Sequence, residues 1–374
     1  MKSANRRITC RLCEQKNLIE AINLGKSPLA NQFLFKKKKV PKYTLKVMQC
    51  KNCNHLQLSH VINKSKLFSK YLFVSGTSPT NLLHFKKYAK ECSEKFIKGK
   101  SKILDIASND GSFLQYFSKN NIRVGIDPAK NIFNLAKKKK IYVENKFFCY
   151  SESKNLKKKY GPFDLITANN VCAHVDQLKD FIKGVKNILT LGGTFVFEVG
   201  YFGDVYKNKT FDTIYHEHLD YHLFTPLINF FKKMNLEIFD AKNIFIQGGS
   251  LRIYVSHKGK KKINKKNINK LIFKEKKMNY SDKKVFLKYQ EYIDNTKKKL
   301  KIKLNDLINK NHKIAGYGAS AKSTTLLNYF GINDRHLEFI ADLSRLKQNK
   351  YTPGSNIKIL PVKQILNLKP DFVL

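Results

Sequence analysis

The sequence has 374 residues, 42% of them hydrophobic and 12% aromatic, which favours two or three globular domains and excludes a largely disordered chain. It contains no apolar run of bilayer-spanning length, and no apolar segment follows its basic N-terminus, so we expect a cytoplasmic protein without a membrane partner. Its formal net charge is +44, from 72 Lys and Arg against 28 Asp and Glu, which by itself favours a nucleic-acid partner.

Two features of the basic residues weigh against nucleic-acid binding. Only seven of them are Arg, although the planar guanidinium is the group best suited to bind phosphates and base edges. The Lys residues are scattered in short runs along the whole chain, a pattern typical of proteins from AT-rich genomes. A zinc-ribbon protein that binds nucleic acid is therefore a minor alternative.

Two Cys-x-x-Cys pairs lie near the N-terminus, Cys10 with Cys13 and Cys50 with Cys53. In a chain without an export signal, such pairs predict metal binding rather than disulfides. Four thiolates suit Zn²⁺ and leave no open position for water, so we expect a structural zinc site. His55 is an alternative ligand that four cysteines make unnecessary. The other cysteines lack this spacing and are expected to be small core residues: Cys92, Cys149 and Cys172.

A strand, a tight turn and a helix are predicted between residues 102 and 117. Apolar residues within Ile103–Ile106 indicate a buried strand, Ser108–Gly111 a turn, and Phe113–Phe117 the start of an amphipathic helix. Such a βα turn is typical of nucleotide-binding domains. It lacks the Gly-x-Gly-x-x-Gly pattern that lets a pyrophosphate approach closely, so S-adenosylmethionine (SAM), which has no phosphate, fits better.

A second predicted strand ends in the acidic residue Asp127, which is followed by Pro128. An acid at this position is the expected partner of ribose hydroxyls. A third strand, Phe163–Ala168, and a fourth, Thr194–Val199, follow with helical segments between them. This alternation predicts an α/β fold with a doubly wound parallel sheet. An α/β domain that binds another ligand is the alternative.

Three proton-handling residue types meet in the four consecutive positions Tyr215–His218. Neutral His is the side chain best suited to remove a proton near pH 7, and a neighbouring Glu or Tyr can orient it or hold developing charge. Downstream of a nucleotide-type turn, this density indicates an enzyme active site rather than a polar loop. A metal site that includes His216 and His218 is an alternative, but no further ligands lie nearby in the sequence.

A second glycine turn lies in the C-terminal part. The segment Lys313–Lys322 has the pattern of a strand that runs through Gly316 and Gly318 into a helix. Backbone N–H groups at such a helix N-terminus bind anions, and Lys322 adds positive charge, so we expect a diphosphate here. A tight structural turn is the alternative. Before it, apolar residues at helical spacing between Tyr289 and Leu307 predict a helix packed on the core.

Together these features resemble the zinc-containing, SAM-dependent C-methyltransferases that act on nucleotide-linked deoxysugars. The resemblance covers essentially the whole chain, and the order and spacing of the motifs make it specific. Besides the cysteine pairs, the two turns and Asp212–His218, it rests on these segments: Ser27–Asn31, Tyr71 with Ser75–Ser78, Asp127–Ala129, Asn170–His174, Gly248–Arg252 and Leu326–Tyr329.

The resemblance implies three domains: a zinc ribbon-like module over residues 1–75, a Rossmann-like SAM-binding domain over 76–200 and a C-terminal α/β substrate-binding domain over 201–374. It also implies that the last domain continues beyond Leu374. Two positions depart from the family pattern. Asp105 stands where Glu is usual, and Ala107 stands where Gly is usual, which narrows the turn.

The resemblance also assigns residues to each part of the site. The SAM-binding residues that it implies are Asp105, Ser108, Asn109, Asp110, Gly111, Asp127, Pro128 and Asn170. The catalytic residues that it implies are His174, Tyr215, His216, Glu217 and His218. The residues expected to bind the nucleotide-linked sugar are Tyr71, Arg252, Gly316, Gly318, Ser320 and Lys322.

The implied reaction is C-methylation beside the keto group of a nucleotide-linked keto-deoxysugar. A carbon next to a ketone is acidic enough for a side-chain base to deprotonate, and the enolate then attacks the sulfonium methyl. We expect His218 to be the base, oriented by Glu217, with His216 as the alternative base. Tyr215 or His174 is expected at the keto oxygen. Methylation of a sugar oxygen or nitrogen is the second interpretation and needs no enolate.

Overall fold

The N-terminal part of the chain is built on a small antiparallel sheet. The computed structural model describes residues 4–68, 74–139 and 141–374. The first elements are β1 (Ala4–Arg6), β2 (Leu18–Ser27), β3 (Tyr43–Cys50), β4 (Leu56–Leu58), β5 (His60–Ile62) and α1 (Lys64–Phe68). Strand β3 lies between β2 and β4, while β1 pairs with β5. Because Leu18 at the start of β2 pairs with Cys50 at the end of β3, the two cysteine pairs meet at one end of this sheet.

The central part alternates strands and helices, as predicted. Its elements are α2 (Pro79–Phe96), β6 (Lys102–Ile106), β7 (Ile122–Ile126), α3 (Lys130–Lys138), β8 (Tyr142–Glu144), α4 (Tyr150–Tyr160), β9 (Phe163–Asn169), α5 (Leu178–Ile188) and β10 (Leu189–Gly200). Five strands pair in parallel in the order β10-β9-β6-β7-β8. This confirms the α/β class and the Rossmann-like sheet. The carboxyl ends of its strands form one edge, where ligands bind in such sheets.

The helix predicted from Phe113 is wrong. A three-residue 3-10 turn, Leu114–Tyr116, stands in its place. Phe113, Leu114 and Phe117 are all buried, and the Phe113 ring packs 4.8 Å from the ring of Tyr88 on α2. Helix α2 therefore covers this face of the sheet, and the short connection to β7 needs only a turn.

Residues after position 200 add strands to both the central and the N-terminal sheet. The next elements are α6 (Phe202–Asn208), β11 (Asp220–Tyr221), α7 (Phe224–Lys233), β12 (Leu236–Ile244) and β13 (Ser250–His257). Strand β13 pairs antiparallel with β10, and β12 pairs with β13, so the central sheet extends past the expected boundary at residue 200. Strand β11 pairs with β4 of the N-terminal sheet. The three-domain division stays a prediction.

The C-terminal part is a second, smaller α/β unit. It consists of α8 (Lys265–Met278), α9 (Lys283–Asn309), β14 (Ile314–Tyr317), α10 (Ala321–Phe330), β15 (Phe339–Ala341), β16 (Lys358–Leu360), α11 (Gln364–Leu368) and β17 (Phe372–Val373). Its four strands pair in parallel in the order β16-β15-β14-β17. The predicted core-facing stripe of α9 is confirmed, because Tyr289, Ile293, Leu304 and Leu307 are buried.

Among the residues that the structure describes, no helix is both long enough and apolar enough to cross a membrane. The expected cytoplasmic location stays a prediction.

Candidate active site and zinc centre

The two cysteine pairs form turns with the same local geometry. In each turn, the N–H group four positions after the first cysteine donates to that cysteine's carbonyl, from Glu14 to Cys10 at 2.9 Å and from Asn54 to Cys50 at 2.7 Å. Glu14 and Asn54 adopt φ angles of 65° and 62°, the left-handed conformation that turns the chain sharply. The repeated turn directs the thiols of both pairs toward one point.

The four thiols converge on a volume that suits one metal ion. The Sγ atoms of Cys10 and Cys53 lie 3.6 Å apart, those of Cys13 and Cys50 lie 3.5 Å apart, and all four lie within 4.8 Å of one another. Tetrahedral Zn²⁺ with bonds of about 2.3 Å places its sulfur ligands about 3.8 Å apart. The four residues therefore fit a structural zinc site. In the described part of the chain, no other cluster of three or more metal-binding side chains forms.

The turn that follows β6 is tightly curved and is covered from one side. Ala107 and Asn109 adopt φ angles of 56° and 50°, and glycine adopts this conformation at least cost. This explains physically why Gly is usual at position 107. The 3-10 turn Ser75–Thr77 lies against the curve, because Ser75 N–H donates to Asn109 Oδ1 at 2.9 Å. A Cβ atom on Gly76 would lie 2.4 Å from Asp110 Oδ2, so a larger residue at this position would require the Asp110 side chain to shift.

Two buried carboxylic acids lie at the same edge of the sheet. Asp105 Oδ1 accepts from the Thr167 hydroxyl at 2.6 Å, and burial raises the pKa of Asp105 to about 7. Asp127 Oδ2 accepts from the N–H of Asn109, and its Oδ1 accepts from the N–H of Ala129, both at 2.9 Å. Burial also raises the pKa of Asp127. Each carboxylate oxygen has a second lone pair for a ligand hydroxyl.

The residues near this edge fit a nucleoside ligand. Ser108 Oγ is buried and has no hydrogen-bond partner among the described residues, so a ligand hydroxyl would satisfy it. Pro128 follows Asp127 and has no N–H of its own, which leaves Ala129 as the donor there. Gly111, with φ 72°, ends the turn. Asn170 follows β9 at the same edge, and its N–H donates to the Glu198 carbonyl at 2.9 Å.

Asp110 is engaged by other residues of the protein. Its Oδ2 lies 2.7 Å from the Lys139 ammonium and accepts from the Ser112 hydroxyl at 2.8 Å. Its charge is therefore already compensated by Lys139, and its role in SAM binding stays a prediction.

The imidazole of His218 is held at both ring nitrogens. Its Nδ1 lies 2.8 Å from the Thr213 carbonyl oxygen, and its Nε2 lies 2.7 Å from the Tyr215 hydroxyl. A carbonyl oxygen only accepts, so Nδ1 carries the proton and Nε2 holds a lone pair that accepts from Tyr215. Burial, with further contributions from His174 and Lys322, lowers the pKa of His218 to about 3. This histidine is therefore neutral near pH 7.

His174 has the same anchoring and lies beside His218. Its Nδ1 lies 2.6 Å from the carbonyl oxygen of Glu217, and the two imidazole centroids are 5.0 Å apart. His174 ends the 3-10 turn Cys172–His174, which follows β9 closely. The edge of the SAM-type sheet and the segment Tyr215–His218 therefore meet at these two rings.

Glu217 does not orient His218, which corrects the sequence-based expectation. Its carboxyl Oε2 accepts from the side-chain amide of Asn31 at 2.7 Å. It is 4% exposed, and burial raises its pKa to about 7. Neighbouring side chains in this bent segment point in different directions, so the anchors of His218 are Thr213 and Tyr215 instead.

His216 points away from the other catalytic candidates. Its Nε2 lies 3.3 Å from the Tyr43 carbonyl oxygen, and its ring stands edge-on to the Tyr43 ring. It is 1% exposed, and burial lowers its pKa to about 4. The structure thus separates His216 from His218, and neither the alternative base nor the alternative metal site at His216 is supported within the described residues.

Helix α10 joins the segment that carries Tyr215–His218 to the N-terminal part. Thr325 donates its hydroxyl to the Ile214 carbonyl at 3.0 Å, and Thr324 donates to the Ala30 carbonyl at 2.9 Å. Ser320 caps the helix by accepting from the N–H of Ser323. Burial raises the pKa of Asp212, an effect that the positive charge of Lys322 opposes. Lys322 therefore lies within electrostatic range of both Asp212 and His218.

The second glycine turn repeats the geometry of the first. Asp342, at the end of β15, accepts from the N–H of Ala319 at 2.8 Å and from the N–H of Ser344 at 2.7 Å. Asp127 accepts in the same way from the N–H of Asn109, in the turn after β6, and from the N–H of Ala129, two residues further along the chain. Gly318 adopts a φ angle of 90°, and a Cβ atom on Gly316 would lie 2.9 Å from Ile340.

Arg252 is bound inside the protein, contrary to its expected role in substrate binding. Its guanidinium contacts Glu198 at 2.6 Å and Glu91 at 2.5 Å, and it stacks on the Tyr88 ring at 3.7 Å. With both carboxylates engaged and only 4% of its surface exposed, Arg252 ties β13 to β10 and α2. Tyr71, expected to bind the sugar, lies outside the described residues.

Sequence reasoning missed several partners of the site residues. Asn31 lies in the motif Ser27–Asn31, but its pairing with Glu217 spans 186 positions and has no local sequence signal. Lys139 belongs to a run of lysines that resembles a solvated surface. The Thr213 carbonyl left no sequence signal, because backbone acceptors are present at every position.

Three family models match consecutive parts of the chain. A model described as "Putative zinc binding domain" matches residues 10–68, one described as "Methyltransferase domain" matches 104–195, and one described as "C-methyltransferase C-terminal domain" matches 245–374. The chain is also similar to C-methyltransferase NovU from Streptomyces niveus, with 25% identity over 370 residues that cover 98% of this chain and 88% of NovU.

Solved structures match about half of the chain. A SAM-dependent methyltransferase from Clostridium acetobutylicum is 17% identical, with a TM-score of 0.38 over 47% of this chain and 92% of that one. The plantazolicin methyltransferase BpumL is 15% identical, with a TM-score of 0.39 over 48% and 85%.

The Rossmann-like sheet and the family matches define a SAM-dependent methyltransferase. The match of its C-terminal part and the relation to NovU over nearly the whole chain make it a C-methyltransferase. Its four converging cysteines provide the structural zinc centre of the N-terminal module.

Proposed function

We propose that this enzyme methylates the carbon next to the ketone of a nucleotide-linked keto-deoxysugar, with His218 as the base. The observation that carries the proposal is the hydrogen bond between the Tyr215 hydroxyl and Nε2 of His218, at 2.7 Å. In this contact the lone pair of a neutral imidazole lies next to the hydroxyl group of a phenol. C-methylation through an enolate needs both, a base for the C–H proton and a donor for the enolate oxygen.

The anchoring of His218 supports its role as the base. The Thr213 carbonyl holds the proton on Nδ1, so the basic electron pair is on Nε2 in the neutral ring. His174, with its Nδ1 on the Glu217 carbonyl, presents a second neutral imidazole beside it. His218 is oriented to take the proton, while Tyr215 and His174 are the candidates to bind the ketone oxygen.

The charge near His218 supports an anionic substrate. Besides burial, Lys322 is one of the groups that lower the pKa of His218 to about 3, and a base so weak transfers protons inefficiently. A diphosphate beside Lys322 would offset the charge of that lysine, which is the smallest of these contributions, and so raise the pKa of His218. Binding of the nucleotide-linked substrate would thus make His218 a stronger base.

The repeated turn geometry supports a nucleotide-linked substrate. The bonds of Asp342 to Ala319 and Ser344 match those of Asp127 in the SAM-type turn. Asp342 differs from Asp127 in that its Oδ2 also lies 3.4 Å from the Lys347 ammonium, so the shared backbone bonds are the feature that supports a second nucleoside site in the C-terminal unit. The N-terminus of α10, capped by Ser320, is where the diphosphate would accept backbone hydrogen bonds. The deoxysugar itself is supported by the motif resemblance.

The proposed reaction consists of proton abstraction, methyl transfer and release of the proton. His218 Nε2 takes the proton from the carbon beside the ketone, and the C–H electron pair becomes part of an enolate. Tyr215 turns its hydroxyl from His218 to the enolate oxygen and stabilises the charge there. Bound SAM supplies the methyl group as a sulfonium, which the enolate carbon accepts while S-adenosylhomocysteine leaves. His218 finally releases its proton to solvent.

The binding of SAM is assigned to the edge of the central sheet. Asp127 would accept from the ribose hydroxyls, and Ser108 would pair its otherwise unsatisfied hydroxyl with the ligand. The backbone of the turn over residues 107–111 would approach the ligand closely, with Asn170 near the methionine end.

The direct test is a reaction with SAM and a panel of nucleoside-diphosphate-linked 4-keto-6-deoxyhexoses. Mass spectrometry should find one added methyl group on a sugar carbon, and NMR should locate it next to the ketone. In heavy water without SAM, the enzyme should introduce deuterium at that carbon. Methylation of oxygen or nitrogen without carbon-bound exchange would disprove the enolate mechanism.

A further inference from the structure

The peptide of Leu219 connects three parts of the molecule directly behind the catalytic histidines. Its N–H donates to the Ala173 carbonyl at 2.7 Å, and its carbonyl accepts from the N–H of Leu58 at 2.8 Å. Leu219 follows His218, and Ala173 precedes His174. The first of these bonds therefore ties together the two backbone segments that carry the neighbouring imidazole rings.

The zinc module reaches this same peptide through one buried side chain. Arg11 lies inside the first cysteine turn, between Cys10 and Cys13. Its Nη1 donates to the Leu219 carbonyl at 3.3 Å and lies 3.6 Å from Oδ1 of Asp220. The side chains of Arg11 and Asp220 are both fully buried. Arg11 thus touches the two residues that directly follow His218.

Further contacts link Arg11 to its surroundings. Its Nε donates to Asp176 at 3.3 Å, and its own backbone N–H donates to the side chain of Gln57 at 2.8 Å. Asp220 in turn bonds His55 Nε2 at 2.8 Å. His55 follows the second cysteine turn closely, so both turns are connected to strand β11. A guanidinium can hold a carbonyl and two carboxylates at once because its donors are fixed in one plane.

We propose that Arg11 is a positioning residue for methyl transfer. It fixes the Leu219–Asp220 peptide against the zinc module and thereby sets where His218 stands relative to His174 and Tyr215. The zinc centre would then contribute to catalysis through geometry as well as to the stability of its own module. This inference rests on the function proposed above, since it assumes that His218 acts in the reaction. Displacement of a reacting group by about 1 Å can cost on the order of 10²-fold in rate.

A double variant tests this role without leaving a buried charge unpaired. Arg11→Met combined with Asp220→Asn removes both charges and keeps an acceptor for His55. We expect a kcat about 10- to 100-fold lower, with zinc content and the Kd for SAM close to wild type. Arg11→Lys is the second variant, because one ammonium keeps the charge but cannot span the same acceptors. It should fold, and it should lower kcat by a smaller factor.

Arg7→Met is the matched control. Arg7 belongs to the same module and also contacts Asp176, at 3.3 Å, but within the described part of the chain it forms no hydrogen bond or ion pair with Leu219 or Asp220. Its removal should leave kcat within about twofold of wild type. Wild-type kcat in the double variant or in Arg11→Lys would overturn the proposal. A loss of activity that merely follows a loss of zinc or of SAM binding would overturn it as well, because it would indicate a structural role only.

A second readout needs no sugar substrate and separates this inference from the proposed function. Diethyl pyrocarbonate modifies neutral imidazoles, and peptide mass spectrometry measures the rate at each histidine. If Arg11 holds the segment, Arg11→Lys should raise the rate at His218 severalfold while the partly exposed His312 keeps its rate. An unchanged rate at His218 would count against the positioning role, even if the wild-type enzyme methylated none of the sugars.

Discussion

The hydroxyl of Tyr215 lies 2.7 Å from Nε2 of His218, the nitrogen that carries the lone pair of that neutral imidazole. The pair is pre-assembled by the Thr213 carbonyl, which holds the opposite ring nitrogen at 2.8 Å. The Tyr215 hydroxyl can redirect its hydrogen bond from this nitrogen to a stronger acceptor, which leaves the lone pair of the imidazole free to take a proton. In the proposed reaction, the ketone oxygen that becomes an enolate oxygen is such an acceptor.

The first prediction concerns this pair. His218→Ala should lower kcat by roughly 10²–10⁴-fold and abolish deuterium exchange, because the base is lost. Tyr215→Phe should slow exchange while leaving some of it, because His218 remains. Neither change should alter the Kd for SAM, measured by calorimetry. His216→Asn is the control, since His216 faces Tyr43. Exchange at the wild-type rate in His218→Ala would place the base elsewhere, with His174 next.

The second prediction compares the two carboxylates with matching contacts. Asp127→Ala should weaken SAM binding by about 1.5–3 kcal/mol, on the order of 10- to 150-fold in Kd. Asp342→Ala removes the same kinds of backbone bonds from the C-terminal turn, so it should leave the Kd for SAM unchanged and raise the KM for the nucleotide-linked sugar. Calorimetry and steady-state kinetics on both variants test this. Equal effects of both variants on SAM binding would contradict the assignment of two separate sites.

The third prediction concerns the zinc centre. The purified protein should hold about one zinc ion per chain, measured by elemental analysis. Cys50→Ser should lose the metal and lower the unfolding temperature, because the zinc ion no longer connects the two cysteine turns of the small N-terminal sheet. Cys149→Ser, a change at a cysteine outside the cluster, should do neither. A folded protein, never exposed to chelator, that contains no zinc would refute the assignment.

The parallel sheet could be predicted from the sequence because its strands are short apolar runs followed by turn residues. The same reasoning placed Asp127 directly after a strand of this sheet and predicted that the cysteine pairs form one cluster, since both signals are local. It failed at Phe113, where burial against α2 replaced a helix by a turn. It also failed at Arg252, because the partners Glu91 and Glu198 lie far away in the sequence and no local pattern indicates them.

The side-chain contacts of Tyr215–His218 could not be predicted from the sequence, for a different reason. The proximity of Tyr215, Glu217 and His218 in the chain suggested that Glu217 orients His218. In the folded chain Glu217 turns to Asn31 instead, and a backbone carbonyl orients His218. Which neighbour faces which is decided by the bend of the segment, and tertiary contacts such as that of Thr325 with Ile214 set that bend.

The fourth prediction uses the close approach of the 75–77 turn. Gly76→Ala would place a Cβ atom 2.4 Å from Asp110 Oδ2 and 2.6 Å from Ser112 Oγ, so these two side chains have to shift from their places at the turn after β6. We expect at least a tenfold weaker affinity for SAM, with little effect on zinc content. Gly192→Ala is the control, because nothing lies within 4 Å of the position of its added Cβ. Calorimetry that finds the same SAM affinity in both variants would show that the 75–77 turn does not support the SAM site.

The fifth prediction concerns the pH dependence of stability. Burial raises the pKa of Glu217 from its ordinary 4.5 to about 7, so between these pH values the folded state binds more protons at this group than the unfolded state. The contribution of Glu217 to the free energy of unfolding is therefore full below about pH 4.5 and is lost as the pH rises through 7, by on the order of 3 kcal/mol.

Glu217→Gln removes this titration and keeps an acceptor for Asn31. Between pH 5 and 8, the variant should therefore gain stability relative to wild type, measured by urea unfolding at several pH values. Glu20→Gln is the control, because Lys46 lowers the pKa of Glu20 and this group titrates below the range. Asp105→Asn should show the same sign as Glu217→Gln, since burial raises the pKa of Asp105 to about 7. A stability difference between wild type and Glu217→Gln that does not change with pH would mean that Glu217 is ionised throughout this range.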